Sequence, residues 1–307
     1  MKKMSKKIIF FGNERLATGV GTKNPVLHTL IAEGYEIECV ILSQDGFDSR
    51  NGRINETEIL AHENNIPCYK PKTNDETKKI INDCLSELAV LVAYGRLIPE
   101  EIINFFPLGI VNLHPSLLPD KRGPTPIEES ILRGDRETGV SVMKLTKGMD
   151  TGPLFVQKSL RLSGNESKQD LSNYLGELGA HLISEALPSI LDSTLEPIEQ
   201  SKNNLSTTKL ISKADGFVDW GNKANEIERK IRAHFGWPRS TSSLLGKRVI
   251  ITEVVVLDDL ATKPGEIIDD PKRLVVSSSD YNLEILRLIP ENKKEISGKE
   301  FIAGYRK

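Results

Sequence analysis

Asn112 and His114 stand two residues apart in the run GIVNLH, and Asp150 lies between two glycines in TKGMDTG. Residues i and i+2 of a strand face the same side, so the amide and the imidazole project together. An amide can donate to an oxygen that gains negative charge. An imidazole can take or relay a proton near neutral pH. A carboxylate can hold that imidazole in one tautomer. These are the groups that attack on a carbonyl needs. No nucleophile accompanies them: the chain has no GxSxG run and no cysteine beside these residues. The attacking group therefore belongs to the substrate, which points to transfer of an acyl-like group onto an amine or water. Each residue also has an ordinary reading. A strand-end histidine is commonly a satisfied polar group, and an Asp flanked by glycines is commonly a turn residue. Two polar groups on one face, followed by the proline-rich SLLPDKRG, bring the chemical reading level with it.

The elements that must position this trio alternate along the first part of the chain. KIIFFG, EIECVILS, AVLVAYG and GIVNLH are short apolar, β-rich runs, separated by the helix-like NPVLHTLIAEG, NETEILAHENN and DETKKIINDCLSEL. That rhythm predicts an α/β fold with a mostly parallel sheet covered on both faces. GIVNLH then ends at the carboxyl edge, where such sheets bind ligands. PTPIEESILRGD reads as a helix that starts at Pro124 or Pro126 and stops at Gly134. GVSVMKL and PLFVQKSLRL read as two more strands, and ESKQDLSNYLGELGAHLISEALPSIL as a long closing helix. This places one domain over residues 1–193 and a polar linker over 194–207. Residues 208–307 follow as a small β-barrel, with a helix in NKANEIERKIRAHFG and strands in RVIITEVVVL, EIIDD, RLVVSSS and NLEILRLI.

Composition sets the outer bounds. The 307 residues are 38% hydrophobic and 27% charged, which excludes a disordered chain. No apolar run approaches the roughly 20 residues a membrane helix needs. The basic start MKKMSKKIIFFG has an apolar part far short of the ~7–15 residues of a signal sequence, so it reads as a first strand. Cys39, Cys68 and Cys84 show no CxxC spacing, which argues against a disulfide framework or zinc site and fits a reducing cytoplasm. Residues 200–307 carry 19 Lys and Arg against 15 Asp and Glu, while the rest carries 22 against 28. A mildly basic end permits a polyanion without requiring one. KRVI, PKR and ENKK are either phosphate-tracking or solvated turns, and Trp220 and Trp237 either stack on bases or anchor packing.

NLHPSLLPDKRGPTPIEESILRGDRETGVSVMKLTKGMDTGPLF resembles the core of the 10-formyltetrahydrofolate-dependent formyltransferases. The shared features are Asn-x-His, then SLLP and RG, then ETG, then the Asp of a G-x-D-T-G turn. The resemblance implies a Rossmann-like formyltransferase domain using 10-formyltetrahydrofolate as co-substrate, with no metal. It implies that Asn112, His114 and Asp150 carry direct attack by the acceptor amine through a tetrahedral intermediate, with Asp150 holding the His114 tautomer. It further implies folate contacts from Ser116, Leu117, Leu118 and Pro119, and from the main chain around Arg96 and Leu97 in AYGRLIP.

The C-terminal third, in TTKLISKADGFVDW, NEIERKIRAHFGWPRS, PGEII and LRLIPENKKEISGKEFIAGYR, is similar to the methionyl-tRNA formyltransferases. That similarity implies an OB-like domain holding initiator methionyl-tRNA, in a cytoplasmic enzyme acting as a monomer. Sugar-nucleotide N-formyltransferases share the DW and WP segments and stay open as an alternative. So do a folate hydrolase and an RNA-binding scaffold without catalysis. Three loops depart from the family. GNERLATGVGTKNP is longer than the usual G-T-P turn. SQDGFDSRNGRIN is poorer in basic residues, leaving Arg50 and Arg53 as candidates for a tRNA wedge. SLLP is followed by Asp120-Lys121 rather than an Arg-aromatic pair.

Overall fold

The computed structural model describes residues 6–43 and 55–305. In chain order its first part holds β1 (Lys7–Phe11), α1 (Pro25–Ala32), β2 (Glu36–Ile41), α2 (Glu56–Glu63), β3 (Cys68–Tyr69), α3 (Asn74–Asn82) and β4 (Leu88–Val92). Then follow α4 (Glu100–Ile103), β5 (Gly109–His114), α5 (Pro126–Arg133), β6 (Glu137–Lys144), β7 (Leu154–Arg161) and α6 (Lys168–Leu191). The seven-stranded sheet has the order β3-β2-β1-β4-β5-β6-β7. The first five are parallel, and β6 and β7 close the edge antiparallel. The chain thus runs outward from β1 to β3, returns to β4 beside β1, and proceeds to the other edge. That reversal creates a crevice at the carboxyl ends of β1 and β4, one strand from the end of β5.

β4 and β5 are buried along their whole length, which is why they read as continuous apolar runs. One face of the sheet packs Val111 and Leu113 against α1, α5 and α6, and the other packs Ile9, Phe11 and Ile110 against Ile102 and Phe106. Strand alternation therefore puts Asn112 and His114 on the Ile110 face, away from α6. α6 starts on a Ser167–Asp170 capping box and comes so close to β5 that a Cβ on Gly179 would stand 2.4 Å from Leu113 Cδ2. α5 begins at Pro126 and ends on Gly134 in the left-handed region.

The second part holds α7 (Ala224–Ala233), β8 (Ser240–Leu244), β9 (Lys247–Leu260), β10 (Val275–Ser277), β11 (Tyr281–Pro290), β12 (Ile296–Ser297) and α8 (Gly298–Tyr305). Its antiparallel sheet, ordered β10-β11-β9-β8 with β12 on β11, curls into a small barrel-like domain. The long β9 pairs with both β8 and β11, and register shifts along β11 supply the bend. It has its own core, which includes Val218, Ile227, Leu283, Leu288 and Phe301, while Ala233 at the end of α7 packs into the first. Two strand expectations need correction. EIIDD contributes one isolated bridge, Ile267 to Val276, rather than a strand. STSSL, not expected, is β8: it buries Ser240, Ser242 and Leu244 in alternation, but hydroxyls in place of apolar side chains hide the pattern.

The two parts are in contact. Lys168 Nζ, on a fully buried side chain, donates to the carbonyls of Thr18 at 2.7 Å and Trp237 at 2.6 Å, and lies 3.5 Å from Glu128 Oε1. A Cβ on Gly19 would stand 2.7 Å from the Trp237 nitrogen, so the long first loop presses main chain to main chain against the second part. Residues 194–209 pack along the first part: Leu154 and Ile198 exchange both main-chain bonds, and Arg122 does the same with Ser206 and Thr208. Among the described residues, no helix is long and apolar enough to cross a membrane.

Candidate active site

His114 ends β5 with its side chain only 6% exposed. Its Nε2 lies 3.0 Å from the Lys121 carbonyl, which has no proton to give. Nε2 must therefore carry the proton, and Nδ1 is left to take or release one. Nδ1 faces Asp150 Oδ1 at 3.6 Å. That distance is beyond a direct hydrogen bond, and a water or a small rotation closes it. The tautomer was expected to depend on Asp150. The structure assigns it to the main chain of Lys121.

Asp150 sits in the connection between β6 and β7 with φ 51, a left-handed conformation uncommon for a residue with a Cβ. Its Oδ2 accepts the Gly123 N–H at 2.8 Å, so one oxygen is fixed and the other is turned to His114. Asn112, two residues before His114, is 6% exposed, and its side-chain amide makes no hydrogen bond among the described residues. The three predicted residues thus converge. An unspent amide, an imidazole with one free nitrogen and a half-anchored carboxylate can polarise a carbonyl and pass a proton. The thiols are no rival nucleophiles: all three are free, and burial pushes Cys39 and Cys84 up and Cys68 up to about 11.

The expected folate loops look different from each other. Ser116, Leu118 and Pro119 are buried, and the polar atoms of this turn are spent internally. Ser116 Oγ donates to the Asp120 carbonyl at 2.6 Å, Leu118 N–H to Ser141 Oγ at 3.0 Å, and Gln157 Nε2 to the Leu118 carbonyl at 2.9 Å. Leu117 is half-buried against Gly139. After β4 the opposite holds. The Arg96 guanidinium is committed to the carbonyls of Pro71 and Lys72, while Leu97 is 75% exposed with no main-chain bond among the described residues. Open main chain at a strand end suits a planar heterocycle rich in donors and acceptors, so this stretch fits a pterin. Among the described residues no group of three or more His, Cys, Asp or Glu is placed to hold a metal ion.

The candidate wedge residues Arg50 and Arg53 lie outside the described residues. Of the basic stretches, Lys247 and Arg248 open β9 while Lys293 and Lys294 follow β11, and the pairing of Val249 with Pro290 brings all four to one end of the sheet. Arg273 is instead paired with Asp270 at 2.9 Å. Trp220 is a packing residue, its Nε1 donating to Ser242 Oγ at 3.1 Å against the second core. Trp237, 38% exposed, offers its carbonyl to Lys168.

Sequence reasoning missed four residues. Lys121, the departure after SLLP, is 4% exposed, adopts φ 58 and pairs with Asp120 and, at 2.8 Å, with Asp135. Gln200 bonds the Asp150 turn, and Lys168 joins the two parts. Glu14 accepts the first amides of α1, Val26 N–H at 2.8 Å and Leu27 N–H at 2.7 Å. Burial pushes its carboxyl up to about 7 although those amides pull the other way. Dinucleotide-binding sheets give such amides to a phosphate; here the chain's own carboxylate fills the place. The only advance signal was indirect: Glu14 and Lys121 lie in two of the three loops that depart from the family pattern.

Residues 16–187 match the family model described as formyl transferase, and residues 210–306 match that of the formyl transferase C-terminal domain. Among curated proteins, the methionyl-tRNA formyltransferase of Thermodesulfovibrio yellowstonii is 34% identical over 305 residues, covering 98% of this chain and 96% of that protein. That of Chloroflexus aggregans is 33% identical, covering 97% of each. Among solved structures, HypX from Aquifex aeolicus in complex with tetrahydrofolic acid superposes with a TM-score of 0.68 at 18% identity, over 97% of this chain. This chain spans about half the length of the HypX chains it matches. The N-formyltransferase of Helicobacter canadensis, in complex with folinic acid and dTDP-3-aminofucose, superposes with a TM-score of 0.67 at 17% identity, covering 92% of this chain and 99% of that one. At such identities the likeness concerns the fold.

Proposed function

The chain belongs to the formyl transferase family, and from that premise we propose that it moves the formyl group of 10-formyltetrahydrofolate to the free amine of methionyl-initiator tRNA. The observation that carries this reading is the end-to-end match to methionyl-tRNA formyltransferases, second domain included. Residues 1–193 act as the catalytic unit, and residues 208–307 as the unit that holds the tRNA. Separate apolar cores support that division.

The folate supplies the formyl group on nitrogen, as an acyl donor that an amine can attack directly. The main chain around Arg96 and Leu97 holds its ring. The Asn112 amide donates to the formyl oxygen as negative charge develops there. His114, its Nε2 proton held by the Lys121 carbonyl, works through Nδ1. Asp150 Oδ1 accepts the proton shed by the attacking amine, directly or through a water, and passes it by way of Nδ1 to the folate nitrogen as the bond from that nitrogen to the formyl carbon breaks and tetrahydrofolate leaves. No covalent enzyme intermediate is needed, because the acceptor's own amine is the nucleophile.

The test is a transfer assay with 10-formyltetrahydrofolate and charged initiator methionyl-tRNA, with uncharged tRNA, amino-sugar nucleotides and buffer alone in parallel. Formylation of the methionyl amine alone is expected. Transfer to the sugar instead assigns the second domain to a nucleotide sugar, and formate release without acceptor assigns the site to hydrolysis.

A further inference from the structure

Asp150 is held by a side chain fifty residues downstream. Gln200 Nε2 donates to the Asp150 carbonyl at 2.9 Å and to the Gly152 carbonyl at 2.7 Å. Its Oε1 accepts from Arg122, Nε at 3.0 Å and Nη2 at 2.6 Å. One side-chain amide thus spends both protons on the turn that carries Asp150 and its oxygen on the loop that follows SLLP. That same loop supplies the Gly123 N–H that fixes Asp150 Oδ2. Carbonyl and carboxylate of one residue are therefore referenced to one amide.

The turn needs such a clamp. Asp150 is left-handed, and the turn's own closing bond, Thr151 N–H to the Gly148 carbonyl, is long at 3.5 Å. Gly152 cannot carry a side chain, since a Cβ would stand 1.9 Å from the Lys144 carbonyl, and the side-chain bond within the turn, Thr146 Oγ1 to Thr151 Oγ1 at 3.3 Å, is exposed. Without the two Gln200 donors, no other hydrogen bond among the described residues holds the Asp150 carbonyl, and the carboxylate loses its bearing on His114 Nδ1.

We propose that Gln200 is a positioning residue for formyl transfer, which keeps Asp150 Oδ1 aimed at His114 Nδ1. It acts through Asp150, and so rests on the reading of Asp150 as the proton acceptor. Ser206 serves the His114 side in the same way: its Oγ accepts the Lys121 N–H at 2.9 Å, steadying the carbonyl that fixes the tautomer. The segment between the two domains is thereby part of the catalytic scaffold.

The experiment is a double-mutant cycle on the full chain. Gln200→Ala is expected to lower kcat about 10- to 100-fold, the scale of a misplaced group, with the KM for the folate unchanged. In an Asp150→Ala background the same substitution is expected to lower kcat by less than about threefold, because residues acting as a unit are not additive. Equal factors in both backgrounds would mean that Gln200 acts elsewhere, and the proposal falls. Gln200→Glu keeps the shape but turns a carboxylate on two carbonyls. It should therefore be as slow as the Ala variant, and a normal rate from it overturns the proposal equally. A second readout needs no acceptor. The ring nitrogen-15 signals of His114 should shift at Nδ1 in Gln200→Ala as in Asp150→Ala, while Nε2 stays in place; an unmoved Nδ1 signal counts against the clamp. If the wild-type chain formylates something other than methionyl-tRNA, the acceptor assignment fails while this readout still decides Gln200.

Discussion

The Lys121 carbonyl stands 3.0 Å from His114 Nε2, so a residue seven places along the chain decides which imidazole nitrogen is available for chemistry. Lys121 holds φ 58 to aim that carbonyl, and its side chain is buried in a pair with Asp120 and Asp135. Burial alone would raise the Asp120 carboxyl, yet hydrogen bonds from Lys121 and Ser206 hold it below the usual range. The departure after SLLP therefore keeps the site's geometry by ionic means.

His114→Ala should lower kcat for formyl transfer by about 10²- to 10⁴-fold, the range of a lost general acid or base. The strand is tied by its neighbours β4 and β6, so the fold should persist. Single-turnover transfer and thermal unfolding measured on the same preparation check both halves. A near-normal rate removes His114 from the mechanism.

Asp150→Asn keeps the size of the side chain and its bond from Gly123, but cannot take a proton. With Asn112 and His114 in place, kcat should drop by about 10²- to 10⁴-fold, the range of a lost general base, while the KM for the folate changes little. Steady-state kinetics of the two proteins, taken in parallel, decide it: a near-normal kcat in the variant places the proton path elsewhere.

How far this site was legible in the sequence depended on whether the signal was local. Asn112 and His114 share a strand, so their common face follows from a two-residue period, and continuous burial marked β5 as interior. Asp150 lay in a glycine-flanked turn whose partner could not be read from spacing; the resemblance supplied it. Gln200 and Lys168 act across 40 to 150 positions, and nothing near them in sequence hints at their partners. β8 was invisible because buried serines replace apolar residues, whereas β9 and β11 declared themselves by β-branched runs.

Lys168→Met should destabilise the chain by about 3–5 kcal/mol, because it strands a buried carboxylate on Glu128. Burial raises the Glu128 carboxyl and lowers the Lys168 ammonium, so each ion depends on the other. The carbonyls of Thr18 and Trp237 lose their donor as well. Adding Glu128→Gln should recover part of the loss. Urea unfolding of the two variants tests this, and a double variant less stable than the single one contradicts the pairing.

Lys247→Glu combined with Lys294→Glu should raise the KM for tRNA and leave that for the folate alone. Every lysine withdrawn from a phosphate should make the logarithmic salt dependence of tRNA binding shallower by roughly 0.7–0.9. Titrations across a range of potassium chloride concentrations measure that slope. An unaltered slope means that this end of the barrel-like domain does not meet RNA.

His234 sets a pH dependence of stability at the junction. It is 3% exposed, its Nδ1 has no hydrogen-bond partner among the described residues, and burial, with Lys230 and Lys168 nearby, lowers its pKa to about 4. In the unfolded chain it titrates near 6.5. A depressed pKa contributes stability that is present above the unfolded value and lost as pH falls toward the folded one. Between pH 7 and pH 5 this group alone should therefore remove about 2 kcal/mol. Glu14 works in the opposite sense, since its carboxyl is raised to about 7 and its contribution grows as pH falls over the same window. The two are separated by difference: stability should fall less on acidification in His234→Gln than in wild type. Denaturant midpoints at the two pH values give the comparison, and equal losses in both proteins would show that His234 is not the group that charges.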